Sequence, residues 1–281
     1  MKKLITSIFV RLIGLRLSAM AYLSPKKAAK KAFLLFCTPL RGRVKPQQQQ
    51  FLEDAKDQIL KEGNSVTQTY KWTGTGPTVL LLHGWESNTF RWRNLIPFLQ
   101  DEGYTIIAMD APAHGNSSGK ILNVPLYTEA AQKVIDQYKP TYVVGHSIGG
   151  MTLLYNLFKY PEKNNTITKA VTLGSPSELS DFILQYKKTL KLNNKLMQVL
   201  ESYFIEHLGF KYKEFSSLRF IENVKIKGLL IHDKDDTIAP YWSSEQVHAK
   251  WKNSTLISTE GLGHSLHQEK VMIDIINFLK S

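Results

Sequence analysis

From about residue 66 onward the chain alternates short apolar runs with segments of helix length. No other feature restricts the fold as tightly. The runs are VTQTYKW (66–72), TVLLLH (78–83), TIIAMD (105–110), TYVVG (141–145), KAVTLG (169–174), KGLLIHD (227–233) and STLIST (254–259). The central ones are apolar throughout, as expected of parallel strands covered on both faces. Helical patterning falls near 89–101, 125–138, 148–159, 242–251 and 268–280. Strand and helix in alternation predict an α/β fold with a mostly parallel, doubly wound sheet. In such sheets functional groups gather at the carboxyl ends of the strands. Residues 176–226 break the alternation with a helical pattern rich in Leu, Phe and Tyr. We expect a helical cap insertion there. The expected division is a basic helical extension and linker over 1–65, and the α/β domain over 66–281.

Charge separates the same two parts. The formal net charge is +12, but residues 1–50 hold seven Lys, four Arg and no acid. The remaining 231 residues carry 25 basic and 24 acidic side chains, so the body is close to neutral. A basic appendage without any nucleic-acid-binding motif argues against a role with DNA or RNA. The single cysteine, Cys37, excludes an internal disulfide and sits in the apolar run LLFCTP, where a buried, inert thiol is expected.

The segment MKKLITSIFVRLIGLRLSAMAYLSP has the length of a membrane span. Arg11 and Arg16 oppose that reading, since each costs about 2.5–3.5 kcal/mol near a bilayer centre. They also interrupt the core a signal peptide needs, although an Ala-x-Ala site at Ala19–Ala21 leaves cleavage open. On a helical projection Leu4, Ile5, Ile8, Phe9, Leu12 and Ile13 share one side, while Lys3, Ser7, Arg11, Gly14 and Ser18 share the other. Val10 and Arg16 violate the pattern. Two readings follow: a basic amphipathic helix at an anionic membrane surface, or a helix packed on the body with its lysines in water. The expected location is cytoplasmic, peripheral at the inner face of the membrane. PKKAAKKAFLLFCTP continues as a second helix, and RGRVKPQQQQFLEDAKDQ reads as a polar linker followed by a short helix.

The chemistry centres on GHSIG (145–149), a G-x-S-x-G pattern between a strand and a helix. That context suits a nucleophile elbow, where the serine occupies a sharp turn and its neighbours must be small. Ser147 is the candidate nucleophile, with His146 a packing residue beside it. A serine hydroxyl needs a base, and the base an orienting carboxylate. GLGHSLH supplies His264 in a glycine-rich loop after the last strand, with His267 as competitor. IHDKDDTIAP offers Asp233, Asp235 and Asp236, and Glu178 is a remote alternative. An oxyanion needs two backbone N–H donors. Ile148, after the nucleophile, supplies one, and Trp85, after His83-Gly84, is the candidate for the other.

HGW (83–85), DAPAHGNS (110–117), GHSIGG (145–150), DDTIAP (235–240) and GLGH (261–264) occur together in this order. Residues 66–281 thereby resemble the α/β-hydrolase family. The resemblance implies that Asp236 is the acid of a Ser147–Asp236–His264 triad, that Trp85 and Ile148 form the oxyanion hole, and that His114 is structural. It further implies a serine esterase acting on carboxylic esters or thioesters through an acyl-enzyme, with no cofactor or metal, while the aromatic-rich insertion and the basic amphipathic N-terminus point to an apolar acyl substrate. An acyltransferase or C–C hydrolase would share these residues, and a non-catalytic binding protein could retain the fold. Dehalogenases and epoxide hydrolases of similar fold use an Asp nucleophile, which Ser147 argues against. The expected partners are a small-molecule ester and, through the N-terminal helix, a membrane surface.

Overall fold

All seven apolar runs form strands, and one further strand precedes them. The computed structural model describes residues 2–63 and 65–281, with the side chains of 2–8 and 62 outside the described set. The strands are β1 (Lys56–Glu62), β2 (Ser65–Trp72), β3 (Thr78–Leu82), β4 (Thr105–Met109), β5 (Tyr142–His146), β6 (Lys169–Leu173), β7 (Lys227–Asp233) and β8 (Ser254–Thr259). The helices begin with α1 (Lys2–Leu23), α2 (Pro25–Cys37), α3 (Pro46–Glu53), α4 (Ile96–Asp101), α5 (Val124–Tyr138) and α6 (Ile148–Lys159). They continue with α7 (Leu179–Leu190), α8 (Asn194–Leu208), α9 (Ser217–Phe220), α10 (Trp242–Lys250) and α11 (Glu269–Lys280). The chain divides into two compact units, residues 1–38 with 178–216, and residues 39–177 with 217–281.

The larger unit carries one sheet in the order β1-β2-β4-β3-β5-β6-β7-β8. β1 and β2 are antiparallel to their neighbours, whereas β3 through β8 run parallel. The central strands exclude solvent on both faces: Leu80, Leu81, Ile106, Ile107, Val143 and Val144 are all fully buried. Burial of each such side chain stabilises the fold by roughly 1.5–3 kcal/mol. Leu81, Ala108, Val144 and Val171 share a cluster with Leu99 of α4 and with Val271 and Ile275 of α11. α5 and α6 contact each other and cover the sheet elsewhere. This arrangement leaves the carboxyl ends of β3, β5, β6 and β7 side by side.

β1 corrects the reading of 41–58 as a linker followed by a short helix, because a helix (α3) comes first and a strand follows. Its sequence KDQILKE holds only two apolar residues, so neither periodicity stands out. It pairs with β2 alone, and a charged edge strand of this kind protects the open side of a sheet. The sheet unit accordingly begins at Pro39, ahead of the expected boundary at residue 66.

The smaller unit joins the N-terminal helices to those of the insertion. α1 contacts α2, α7 and α8, and α2 contacts α8. Close approach depends on small residues: a Cβ on Gly14 would stand 1.7 Å from the Leu190 carbonyl oxygen. The Asn193 amide nitrogen donates to Ser18 Oγ at 3.1 Å, and Tyr186 donates to the Ala32 carbonyl at 3.0 Å. Phe33 packs on Tyr203 and Phe204, with ring centroids 5.2 and 5.3 Å apart. Cys37 is buried among these groups, and burial pushes its thiol up to about 12, consistent with an inert side chain.

Candidate active site

β5 ends in a turn whose apex is Ser147, with φ 53° and ψ −124°, and α6 starts at the next residue. A non-glycine residue in that conformation stores about 1–3 kcal/mol of strain, which its surroundings must hold. Ser147 N donates to the Leu173 carbonyl at 2.8 Å, and Ser175 Oγ donates to the Ser147 carbonyl at 3.2 Å. The flanking glycines are required by space. A Cβ on Gly145 would lie 2.6 Å from the Gly149 carbonyl oxygen, and one on Gly149 would lie 2.2 Å from that of Leu82. Ile148 is the first residue of α6, so its N–H has no intrahelical acceptor and the positive end of the helix faces the turn.

Of the three carboxylates at the end of β7 and just beyond it, only Asp236 meets His264. Its Oδ2 accepts from His264 Nδ1 at 2.7 Å, while Oδ1 accepts from the Ile238 and Ala239 amides at 2.8 and 3.0 Å. Burial alone would raise the carboxyl, but these donors and His232 outweigh it and hold Asp236 below the ordinary carboxylate value. An ionised Asp236 keeps the His264 proton on Nδ1 and leaves Nε2 as the acceptor. Asp233 instead receives Thr259 Oγ1 and the Leu262 amide, and Asp235 receives the Gly261 amide. Both shape the loop that carries the histidine. Glu178, the remote alternative, accepts from the Ser216 hydroxyl.

The HGW turn lies against the elbow, since a Cβ on Gly84 would stand 3.1 Å from Ser147 Cβ. His83 Nδ1 donates to the Gly84 carbonyl at 2.8 Å, and Nε2 accepts from the Ala111 amide at 2.9 Å. Burial drives this ring down to about 3, so it is a neutral anchor. His114 Nε2 accepts from the Glu86 amide at 3.0 Å and fixes the turn from its other side. Both rings hold backbone groups of this segment, and Trp85 lies on the turn between their anchoring points.

The loop bearing His264 is clamped through its own carbonyls. His146 Nε2 donates to the His264 carbonyl at 2.8 Å, Arg91 Nη2 to that of Ser265 at 2.8 Å, and Asn94 Nδ2 to that of His267 at 3.1 Å. His146 therefore ties the residue before Ser147 directly to His264, a stronger role than packing. Burial first, then Arg91, pushes the His146 ring well below the ordinary histidine value. The His146 and His264 rings stand with their centroids 4.8 Å apart. His267, the competing histidine, is held at about 4 by burial and then by Arg91, and its Nε2 lies 3.4 Å from Arg91 Nη1. The Ser147 hydroxyl forms no hydrogen bond to another described residue. Such nucleophile–base contacts commonly tighten only when substrate binds.

His232 is the site residue that sequence reasoning missed. It is fully buried in β7, and its Nε2 stands 3.2 Å from Asp236 Oδ2 and 3.0 Å from the Ala239 carbonyl. Two acceptors place the proton on Nε2, and Nδ1 accepts from Ser244 Oγ at 2.7 Å. The available signal was a histidine inside the apolar run KGLLIHD, four residues before Asp236. His232→Leu is expected to lower kcat by about tenfold with KM little changed, because one charge-assisted bond aligning Asp236 is lost. His232→Gln, which retains a donor, should recover most of that loss; steady-state kinetics of both variants test the assignment.

A mostly parallel sheet of this order, with a strained serine after its central strand and an Asp–His pair at strand ends further along, is the architecture of the α/β-hydrolase fold. The sequence model of the α/β hydrolase fold matches residues 77–200, and the chain has that fold. It is 28% identical over 249 residues to the uncharacterized hydrolase YugF of Bacillus subtilis, covering 72% of this chain and 90% of the other. It is 30% identical over 105 residues to a soluble epoxide hydrolase of Corynebacterium sp., covering only 36% of each. Among solved structures, the esterase EaEST from Exiguobacterium antarcticum superposes with a TM-score of 0.61 at 20% identity, over 80% of this chain and 100% of that one. No helix among the described residues is long and apolar enough to cross a membrane.

Proposed function

We propose that this hydrolase cleaves carboxylic esters or thioesters by two-step acyl transfer at Ser147. The observation that carries the reading is the 2.7 Å bond between His264 Nδ1 and an ionised Asp236, at the strand ends beside a strained serine. His264 Nε2 takes the proton as Ser147 Oγ attacks the carbonyl carbon. The oxyanion is received by the amides of Trp85 and Ile148. Collapse breaks the bond to the alcohol or thiol, which leaves with the proton from His264. Water then attacks the acyl-enzyme, with His264 again accepting and returning the proton, and the acid is released. Asp236 holds the imidazole in the required tautomer and balances its charge in both steps. A hydroxyl at the elbow favours this course over epoxide opening, which on this fold relies on a carboxylate nucleophile. The ground for proposing an apolar acyl group is the aromatic-rich sequence of residues 176–226.

Hydrolysis of p-nitrophenyl esters from acetyl to palmitoyl, with fluorophosphonate labelling in parallel, tests the proposal. The expected result is turnover that rises with acyl length and a label on Ser147. A chain inert to every ester and unlabelled would refute it. Turnover confined to acetyl would retain the chemistry and remove the apolar acyl group.

A further inference from the structure

α1 is turned inside out relative to an ordinary surface helix. Its buried residues are mostly small, namely Gly14, Ser18 and Ala21 together with Leu17. Its large apolar residues face solvent: Phe9 is 64% exposed, Leu12 57%, Leu15 67%, Tyr22 67% and Leu23 86%. On a helical projection these five fall within one arc of roughly 140°. Arg11 lies just outside one border and Arg16 just inside the other. Water penalises such an arrangement, and an exposed apolar stripe on this scale marks a docking surface. The expectation that Gly14 and Ser18 form the water-facing side is therefore reversed, since they face the other helices. Leu4, Ile5 and Ile8 of the expected apolar side lie outside the described side chains.

Charge identifies the occupant. Lys26, Lys27, Lys30 and Lys31 of α2 are exposed, and no acidic residue occurs before Glu53. Beside the stripe lies a cavity of about 410 Å³ whose lining includes Arg11, Lys191, Leu12 and Leu15. Two cations over an apolar wall suit an amphiphile with an anionic head. A second copy of this chain would bring like charge against like, and nucleic acid has no use for the leucines. We infer that α1 and α2 form a docking surface for an anionic phospholipid bilayer, with the stripe seated among the acyl chains and the arginines and lysines at the phosphates. α1 would lie along the surface rather than cross it. The inference is independent of the ester-cleavage proposal.

Cosedimentation of the full chain with vesicles provides the test. Phosphatidylcholine vesicles containing about 30% phosphatidylglycerol are expected to bind it at least about tenfold more tightly than phosphatidylcholine alone, and less tightly as salt rises. The exposed double substitution Leu12→Glu with Leu15→Glu should weaken binding about tenfold or more while leaving circular dichroism and the melting temperature unchanged. Lys→Gln at positions 26, 27, 30 and 31 should abolish the preference for anionic vesicles. Equal binding to both vesicle types, or binding unaffected by the leucine substitutions, would overturn the inference. So would displacement of vesicles by millimolar inorganic phosphate, which would indicate a soluble-anion site. A dimer in sedimentation analysis that the leucine variant loses, without vesicle binding, would assign the face to a second copy instead.

Discussion

Asp236→Asn is expected to lower kcat by about 10⁴-fold, and the reason lies in which oxygen does what. Oδ1 accepts two backbone amides, from Ile238 and Ala239, so only an oxygen fits there. An asparagine must then direct its NH2 group at His264 Nδ1. Nδ1 becomes an acceptor, the imidazole proton moves to Nε2, and the base presents a hydrogen to the serine it has to deprotonate. The same NH2 group faces the Nε2 hydrogen of His232 at the former 3.2 Å contact, two donors with no acceptor between them. The variant should therefore also melt at a lower temperature, since unsatisfied buried donors cost about 1–3 kcal/mol. Steady-state kinetics beside thermal denaturation would show both losses. Retention of more than about a tenth of wild-type kcat would mean that Asp236 does not orient the base.

Ser147→Ala is expected to separate catalysis from folding more cleanly. Ester turnover should fall by about 10⁴–10⁶-fold and fluorophosphonate labelling should vanish. The melting temperature should hold within about 2–4 °C. The hydroxyl makes no hydrogen bond to another described residue, so its removal leaves no buried partner unsatisfied. Alanine inherits the same backbone strain at φ 53°, and the elbow keeps its shape. The comparison with Asp236→Asn is informative for this reason: the serine hydroxyl is expected to act only on substrate, whereas Asp236 also holds a loop together. Residual turnover near the wild-type level would remove Ser147 from the reaction.

The central strands were legible from the chain alone because burial on both faces demands continuous apolar runs, and five strand-ending motifs in fixed order mark one topology. Ser147 could likewise be read from its glycines, since Gly145 and Gly149 leave no space for a Cβ, whereas Gly261 and Gly263 beside His264 stand in open space and are called for by φ of 73° and 60°. The choice among Asp233, Asp235 and Asp236 was open to the residues themselves and settled only by resemblance. In the tertiary structure it rests on a single 2.7 Å contact across 28 residues of sequence. His232 and His146 gained their parts in the same way, since hydrogen-bond partners brought together by packing leave no periodicity behind. β1 escaped notice because an edge strand needs neither a buried face nor an apolar run.

α1 shows the division most clearly. Its sequence established that the helix has one strongly apolar side and a basic border, as any 3.6-residue repeat reveals. Which side turns inward was decided by its neighbours: the Leu190 carbonyl can approach only at Gly14, where no Cβ intervenes, and that contact leaves Phe9, Leu12 and Leu15 outward. Local patterns thus determined the elements and the chemistry available at the strand ends. Only the packed chain determined which polar atoms meet and which apolar face is left uncovered, because both depend on residues far apart in sequence.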